Sequence, residues 1–209
     1  MKTADISVGE FLQRLAGGSA TPGGGSVAAL SGALSAALCA MAGRLTVGRA
    51  RYREVQVEME QMLTSADRLV NRLLDLVDQD IEAYNRVMAA FKMPKETEDQ
   101  KTSRQEAIQK ATRQATVVPM EILKALSELT GLIETALVLG NPNCFTDAGV
   151  AAVLARAAAL GAAYNVRINL SGIEDQEFTN TLKSELEKTL ERTLASLEGL
   201  RQMVEERLG

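Results

Sequence analysis

Four carboxylates crowd one stretch of the chain, Asp75, Asp78, Asp80 and Glu82. Helical spacing separates their roles. Asp75, Asp78 and Glu82 fall at i, i+3 and i+7, which predicts a solvated face. Asp80 shares a stripe with Leu73, Leu76, Val77 and Tyr84, so it is expected to point inward. A carboxylate on an apolar stripe loses hydration, its pKa rises, and it becomes a candidate proton carrier near neutral pH. The competing reading is a structural Asp that caps a helix or pairs with a buried Arg. The chain holds no histidine, which removes the Ser-His-Asp triad, the two-His zinc helix and the His-based deaminase signature together. Proton transfer therefore falls to carboxylates, Lys, Tyr or Cys. Cys39 and Cys144 match no CxxC spacing, so a metal site is not expected, and free thiols in a reducing cytosol are.

The glycine-rich loop ends Thr21-Pro22-Gly23-Gly24-Gly25-Ser26 and leads into a helix of small residues. Gly23 to Ala28 formally fits the dinucleotide pattern G-x-G-x-x-A, but that pattern works only after a parallel strand, and no strand pattern precedes it. What remains is a helix N-terminus, whose free N–H groups and positive dipole end favour an anion, or a tight turn between helices. Asn165 and Asn169 stand four apart in an otherwise apolar helix, and Asn141 and Asn143 lie in a Pro-containing turn. Buried amides at such spacing point to a ligand or a polar network. Asp147 lies on the same helix as Asn165 but about 27 Å away at 1.5 Å per residue, so the two meet opposite ends of a long ligand or belong to sites formed across a subunit contact. Arg44, Arg49, Arg51 and Arg53 form the densest basic patch, either a solvated helix end or a binder of carboxylates.

These residues need elements to position them. Aromatics make up 3% of the 209 residues and there is no Trp, so Ala, Leu, Val and Met must fill the core, which favours helix over strand. Ser7 followed by Glu10 predicts a short helix to about Ala16. A helix of small residues from Ser26 to Val47 suits a bundle centre or a subunit contact. A long amphipathic helix is expected from Glu54 to Phe91, stopped by Pro94. Helix resumes after Ser103 and runs to about Leu139, with a kink or break at Pro119. Gly140-Asn141-Pro142-Asn143 is a turn, after which Thr146 or Asp147 caps an Ala-rich helix. A last helix carries leucines along one face from Leu182 to Leu208. The expectation is all-α: a single domain over residues 1–209, a bundle of five to seven helices, several of them long. The net charge of −4 gives no broad positive field for nucleic acid. Val27 to Gly43 is short of the roughly 20 strongly apolar residues a bilayer requires, and the N-terminus lacks signal-peptide patterning. A cytoplasmic protein without membrane partners is expected.

The segments Thr21 to Leu30, Asp80 to Tyr84, Gly140 to Asn143 with Thr146-Asp147, and Gly161 to Leu170 together resemble the cyclodeaminase/cyclohydrolase family, the domain that forms the C-terminal half of formiminotransferase-cyclodeaminase. The resemblance implies an all-helical homodimer acting on the one-carbon unit between N5 and N10 of tetrahydrofolate, with the folate as substrate and no separate cofactor. Two reactions fit: cyclisation of 5-formiminotetrahydrofolate with loss of ammonia, or hydrolysis of 5,10-methenyltetrahydrofolate. It implies catalytic roles for Asp80 or Asp147. Substrate-binding roles fall to Thr21, Pro22, Gly23, Gly24, Gly25 and Ser26, to Asn141, Asn143, Asn165 and Asn169, and to Arg49 and Arg51. Where members often carry lysines, this chain has Arg49, Ala50 and Arg51. These arginines are expected to hold the glutamate end of the folate, polyglutamylated forms included. The small-residue helix and the final leucine stripe are the expected dimer surfaces. The alternative is a non-catalytic dimerising scaffold, against which the inward set Asp80, Asn165 and Asn169 argues.

Overall fold

The structure, a computed structural model, describes residues 2–209. Six α-helices carry the fold: α1 (Val8–Leu15), α2 (Gly24–Arg44), α3 (Gln56–Phe91), α4 (Glu98–Leu139), α5 (Phe145–Leu170) and α6 (Gln176–Leu208). Short 3-10 turns fill Thr3–Asp5, Ala50–Val55 and Pro142–Cys144, and no strand occurs among the described residues. The all-α single bundle expected from the sequence is the observed architecture.

Helices α2, α3, α4 and α5 pack around one core, and α6 covers α4 and α5. The helix α2 is antiparallel to α3, since Ser26 at its start meets Asp80 and Arg44 at its end holds Asp67. It is antiparallel to α5 as well: Gly24 lies by Asn165, and Asn141 just before α5 donates to Thr46. Small residues permit this crowding. A Cβ on Gly32 would stand 2.9 Å from Leu126 and 3.2 Å from Leu73, so only glycine lets α2 lie this close to α3 and α4. The buried hydroxyl of Ser35 donates to the Ala151 carbonyl at 2.7 Å and ties α2 to α5.

Several local expectations shift. The helix α2 begins at Gly24, so Gly24 and Gly25 form its first turn instead of a loop. The helix α4 begins at Glu98, because Thr97 and Gln100 form a complete capping box. It then continues unbroken through Pro119 to Leu139, where a kink or break was expected. Neither Thr146 nor Asp147 caps α5. Both lie within it, and the Asn141 side chain caps the preceding turn by accepting from the Asn143 N–H. The leucine stripe of α6 is buried in the bundle at Leu182, Leu186, Leu190, Leu197 and Leu200, so most of this expected dimer surface is core, with Leu208 at its end exposed. Helices α2 and α5 are both long and apolar enough to cross a membrane by length and composition, and they pack against each other.

Candidate active site

Asp80 points inward, as its phase on α3 requires, and its carboxylate sits on the N-terminal turn of α2. The Ser26 hydroxyl donates to Oδ2 at 2.7 Å, and the Ser26 backbone N–H also bonds the carboxyl. The seat exists because residue 25 has no side chain. A Cβ on Gly25 would overlap Oδ1 outright and stand 2.7 Å from Cγ. Burial pushes the Asp80 pKa above the ordinary carboxylate range, while the two Ser26 hydrogen bonds favour the ionised form and hold it down. The group is thus a partly desolvated acid whose charge is met by a helix N-terminus.

This carboxylate opens on a cavity of about 210 Å³ whose walls include Thr21, Gly23, Tyr84, Ala115, Asn165 and Asn169. The Thr21-Pro22 peptide is cis, and Pro22 is buried beneath the loop. Asn165 donates through Nδ2 to the Gly161 carbonyl at 2.8 Å, and Asn169 donates through Nδ2 to the Ala115 carbonyl at 2.9 Å. A carbonyl can only accept, so each amide must turn its N–H end to its partner, which fixes both in orientation. Cavity residues outside the expected set are Ala20, Ala83, Tyr84 and Ala115. The signal for Ala115 was Pro119, four residues on in the same helix.

The other three carboxylates of the cluster face away. Asp75 pairs with Lys2 at 3.3 Å and Glu82 with Arg86 at 3.1 Å, both at the surface. Asp78, expected as simply solvated, instead accepts from the Thr3 N–H at 2.9 Å and from its hydroxyl, and so fastens the N-terminal segment to α3.

The remaining candidates gather at the opposite end of the α2/α5 pair. Asn141 donates from its backbone N–H to the buried Thr46 hydroxyl at 2.9 Å and from Nδ2 to the Leu45 carbonyl at 3.4 Å, while its Oδ1 accepts from the Asn143 N–H at 3.0 Å. Both ends of its amide are thus engaged in holding the turn. Asn143 is exposed and Asp147 half-buried in the first turn of α5. Arg44 is tied to both oxygens of Asp67 at 2.9 Å. Arg49 and Arg51 are exposed, and Arg51 lies over the Tyr52 ring at 5.4 Å. The length of α2 sets this end about 30 Å from the glycine end. Within the chain, Asp147, Asn143, Arg49 and Arg51 therefore do not share a pocket with Asp80, in keeping with the separation of about 27 Å expected between Asp147 and Asn165. Cys39 and Cys144 are both buried and free; burial pushes the Cys39 thiol up to about 12, so it is no nucleophile. Among the described residues no three His, Cys, Asp or Glu side chains cluster as metal ligands would.

The formiminotransferase-cyclodeaminase family profile matches residues 7–188. Methenyltetrahydrofolate cyclohydrolase of Methylorubrum extorquens is 39% identical over 86% of this chain and 86% of its own. Formimidoyltransferase-cyclodeaminase of Rattus norvegicus is 33% identical over 92% of this chain, which spans only 36% of the rat protein. The crystal structure of formiminotetrahydrofolate cyclodeaminase from Thermotoga maritima superposes with a TM-score of 0.83 at 31% identity, covering 98% of this chain and 96% of that one. With the profile over most of its length and the Methylorubrum and Thermotoga proteins each matched over most of theirs, the chain belongs to the formiminotransferase-cyclodeaminase family.

Proposed function

We propose that this protein is a tetrahydrofolate one-carbon enzyme in which Asp80 carries a proton to and from the atoms around the carbon between N5 and N10. The observation that supports this most is the partly desolvated carboxylate of Asp80, held on the α2 N-terminus at the wall of a cavity that two oriented asparagines share. In the cyclisation, N10 attacks the formimino carbon, its proton passes to Asp80, and Asp80 returns a proton to the departing nitrogen, which leaves as ammonia. In the hydrolysis, water attacks the methenyl carbon and Asp80 takes one of its protons, which goes to whichever nitrogen the C–N cleavage releases, while the remaining hydroxyl proton leaves to solvent as the formyl C=O forms. One carboxylate serves both reactions, because each needs a group that alternates between base and acid in a water-poor pocket. No separate cofactor has a role in either scheme. The absorbance of methenyltetrahydrofolate tests the reading. Its decay with purified protein indicates hydrolysis, its appearance from the 5-formimino compound indicates cyclisation, and neither change overturns the proposal.

The working unit in this reading is a homodimer in the cytoplasm, built on the α2/α5 face. That face leaves Leu34 half-exposed on α2, and Val150, Val153, Tyr164 and Ile168 exposed on α5, a contiguous apolar stripe of the kind that marks an interface. A two-fold axis lying across the helices reverses them, so the glycine end of one protomer meets the arginine end of the other. Arg49 and Arg51 of one copy then lie near the cavity of its partner, where they would grip the glutamate carboxylates of the substrate, and Asn143 and Asp147 come within reach of its rim. Mixing an Asp80→Asn protein with an Arg49→Ala/Arg51→Ala protein, followed by subunit exchange, regenerates one intact site per mixed dimer. Activity that stays at the sum of the two parents rules the shared site out.

A further inference from the structure

Pro119 sits in the middle of the 42-residue helix α4, is buried, and does not interrupt it. Proline has no N–H, so the carbonyl four residues back, that of Ala115, is left without its usual helical donor. In this protein that carbonyl lies at the wall of the Asp80 cavity and accepts from Asn169 Nδ2 at 2.9 Å. The proline thus opens a single acceptor in α4, at the position that the Asn169 amide occupies from α5. An asparagine amide is planar, with its two ends chemically opposite. Once Nδ2 turns to Ala115, Oδ1 is the end that faces away from that carbonyl. Asn165 is committed the same way, through Nδ2 to Gly161 at 2.8 Å.

We propose that Pro119 is a positioning residue: by withholding a donor from the Ala115 carbonyl it fixes the Asn169 amide with Oδ1 toward the cavity, so that the site reads a ligand through that ligand's N–H groups. The inference rests on the reading of this cavity as the substrate site. It gives the pocket a chemical sign. With Asp80 and Asn169 offering oxygen at this wall, the part of the ligand lodged against it is a heterocycle edge that carries N–H donors. It also accounts for a proline kept inside a helix at a cost that sequence alone leaves unexplained.

A double-mutant cycle separates this role from a general effect on the helix. Pro119→Ala supplies an N–H that competes for Ala115, so the Asn169 amide loses its anchor. KM for the folate substrate is expected to rise about tenfold, the worth of one directed hydrogen bond, with kcat changed far less. Asn169→Ala should raise KM similarly, and Pro119→Ala added to it should raise KM no further. An unchanged KM in Pro119→Ala, or fully additive effects, overturns the proposal. NMR of the Asn169 side-chain amide in ligand-free protein is a second readout that needs neither activity nor the Pro119 variant. The wild-type protein should show one strongly hydrogen-bonded, slowly exchanging Nδ2 proton, and Pro119→Ala, where it folds, should release it. A freely exchanging Asn169 amide in the wild-type protein refutes the anchor. A protected amide in a protein inactive on both folates leaves the anchor standing and removes the folate reading instead.

Discussion

At the glycine end of the α2/α5 pair, Asp80 lies against a helix N-terminus in a cavity, and two asparagines stand beside it with their amides turned by carbonyls. At the arginine end, Asp147 sits in the first turn of α5, and Asn141 spends its hydrogen bonds on the turn that joins α4 to α5. Both ends offer carboxylate, amide and helix terminus, and at the first these groups line a cavity of about 210 Å³. The difference comes from the glycines. Without a Cβ at residue 25 a carboxylate from α3 can reach the α2 backbone, whereas the C-terminus of α2 closes on itself through the Thr46 hydroxyl, which donates to the Ala42 carbonyl at 2.7 Å and accepts from Asn141.

The sharpest way to break this comparison is at the two carboxylates. Asp80→Asn keeps the shape and loses the exchangeable proton, so kcat is expected to fall about 10²- to 10⁴-fold with helicity unchanged by circular dichroism. Asp78→Asn, whose partner is Thr3 at the outer surface, should leave kcat within about twofold while loosening the N-terminal segment. If instead Asp147→Asn abolishes turnover and Asp80→Asn does not, the chemical end of the molecule is the arginine end.

A smaller effect is expected from the arginines. Arg49→Ala/Arg51→Ala removes two exposed guanidinium groups, of which that of Arg51 lies over the Tyr52 ring. KM should rise about tenfold, with kcat close to wild type, and the loss should grow with the number of glutamates on the substrate. Equal KM values for mono- and polyglutamylated substrate in both proteins would detach this end from the ligand altogether.

Much of this arrangement was legible in the sequence, for identifiable reasons. Spacing of three and four fixed the helices, and the phase of Asp80 relative to Leu73, Leu76 and Val77 turned it inward, because one helix face is all that such an inference needs. What failed required knowledge of a second element. Pro119 reads as a break until Asn169, 50 residues later, is seen to satisfy the Ala115 carbonyl. Asp78 reads as solvated until Thr3 closes on it. The leucines of α6 read as a dimer surface until α4 and α5 are seen beneath them. Asn141 and Asn165 look alike in the sequence, since nothing local says which turn needs its amide for itself.

Ser26 tests how the glycine end tunes its acid, with an effect smaller again. Its hydroxyl and N–H both favour the ionised form of Asp80, against the burial that raises its pKa. Ser26→Ala removes the hydroxyl alone, so the pKa climbs further. If ionised Asp80 is the base of the first step, the acid limb of the kcat/KM profile moves to higher pH by about one unit, as expected for a charge-assisted hydrogen bond. The stability change has a definite sign too. Below the ordinary carboxylate range Asp80 is protonated in folded and unfolded chains alike, and the raised pKa costs nothing. As pH rises, the unfolded chain releases its proton first, so the variant should lose stability relative to wild type chiefly above that range. A limb that stays in place, or moves to lower pH, would mean that Ser26 does not control the Asp80 charge.

The smallest effect should come from Asn141, and it separates an amide that holds the fold from one that holds a ligand. Its Oδ1 accepts from Asn143 and its Nδ2 reaches Leu45, so Asn141→Ala removes the cap of the turn and a link to the end of α2. Loss of a cap of this kind costs about 1 kcal/mol, which for a domain of this size lowers Tm by about 2–4 °C. The backbone bond to Thr46 survives the substitution, so the turn should loosen without unfolding α5. KM should stay within about twofold of wild type, because both ends of the Asn141 amide are engaged in the turn. Asn165→Ala and Asn169→Ala should behave in the opposite sense, with KM rising by more than that at a comparable cost in Tm. Measured side by side by thermal melts and initial rates, the three alanine variants would show whether amide chemistry is divided between the two ends as the geometry divides it. A KM shift in Asn141→Ala as large as in Asn169→Ala would mean that the turn reaches the ligand after all, through the partner's cavity.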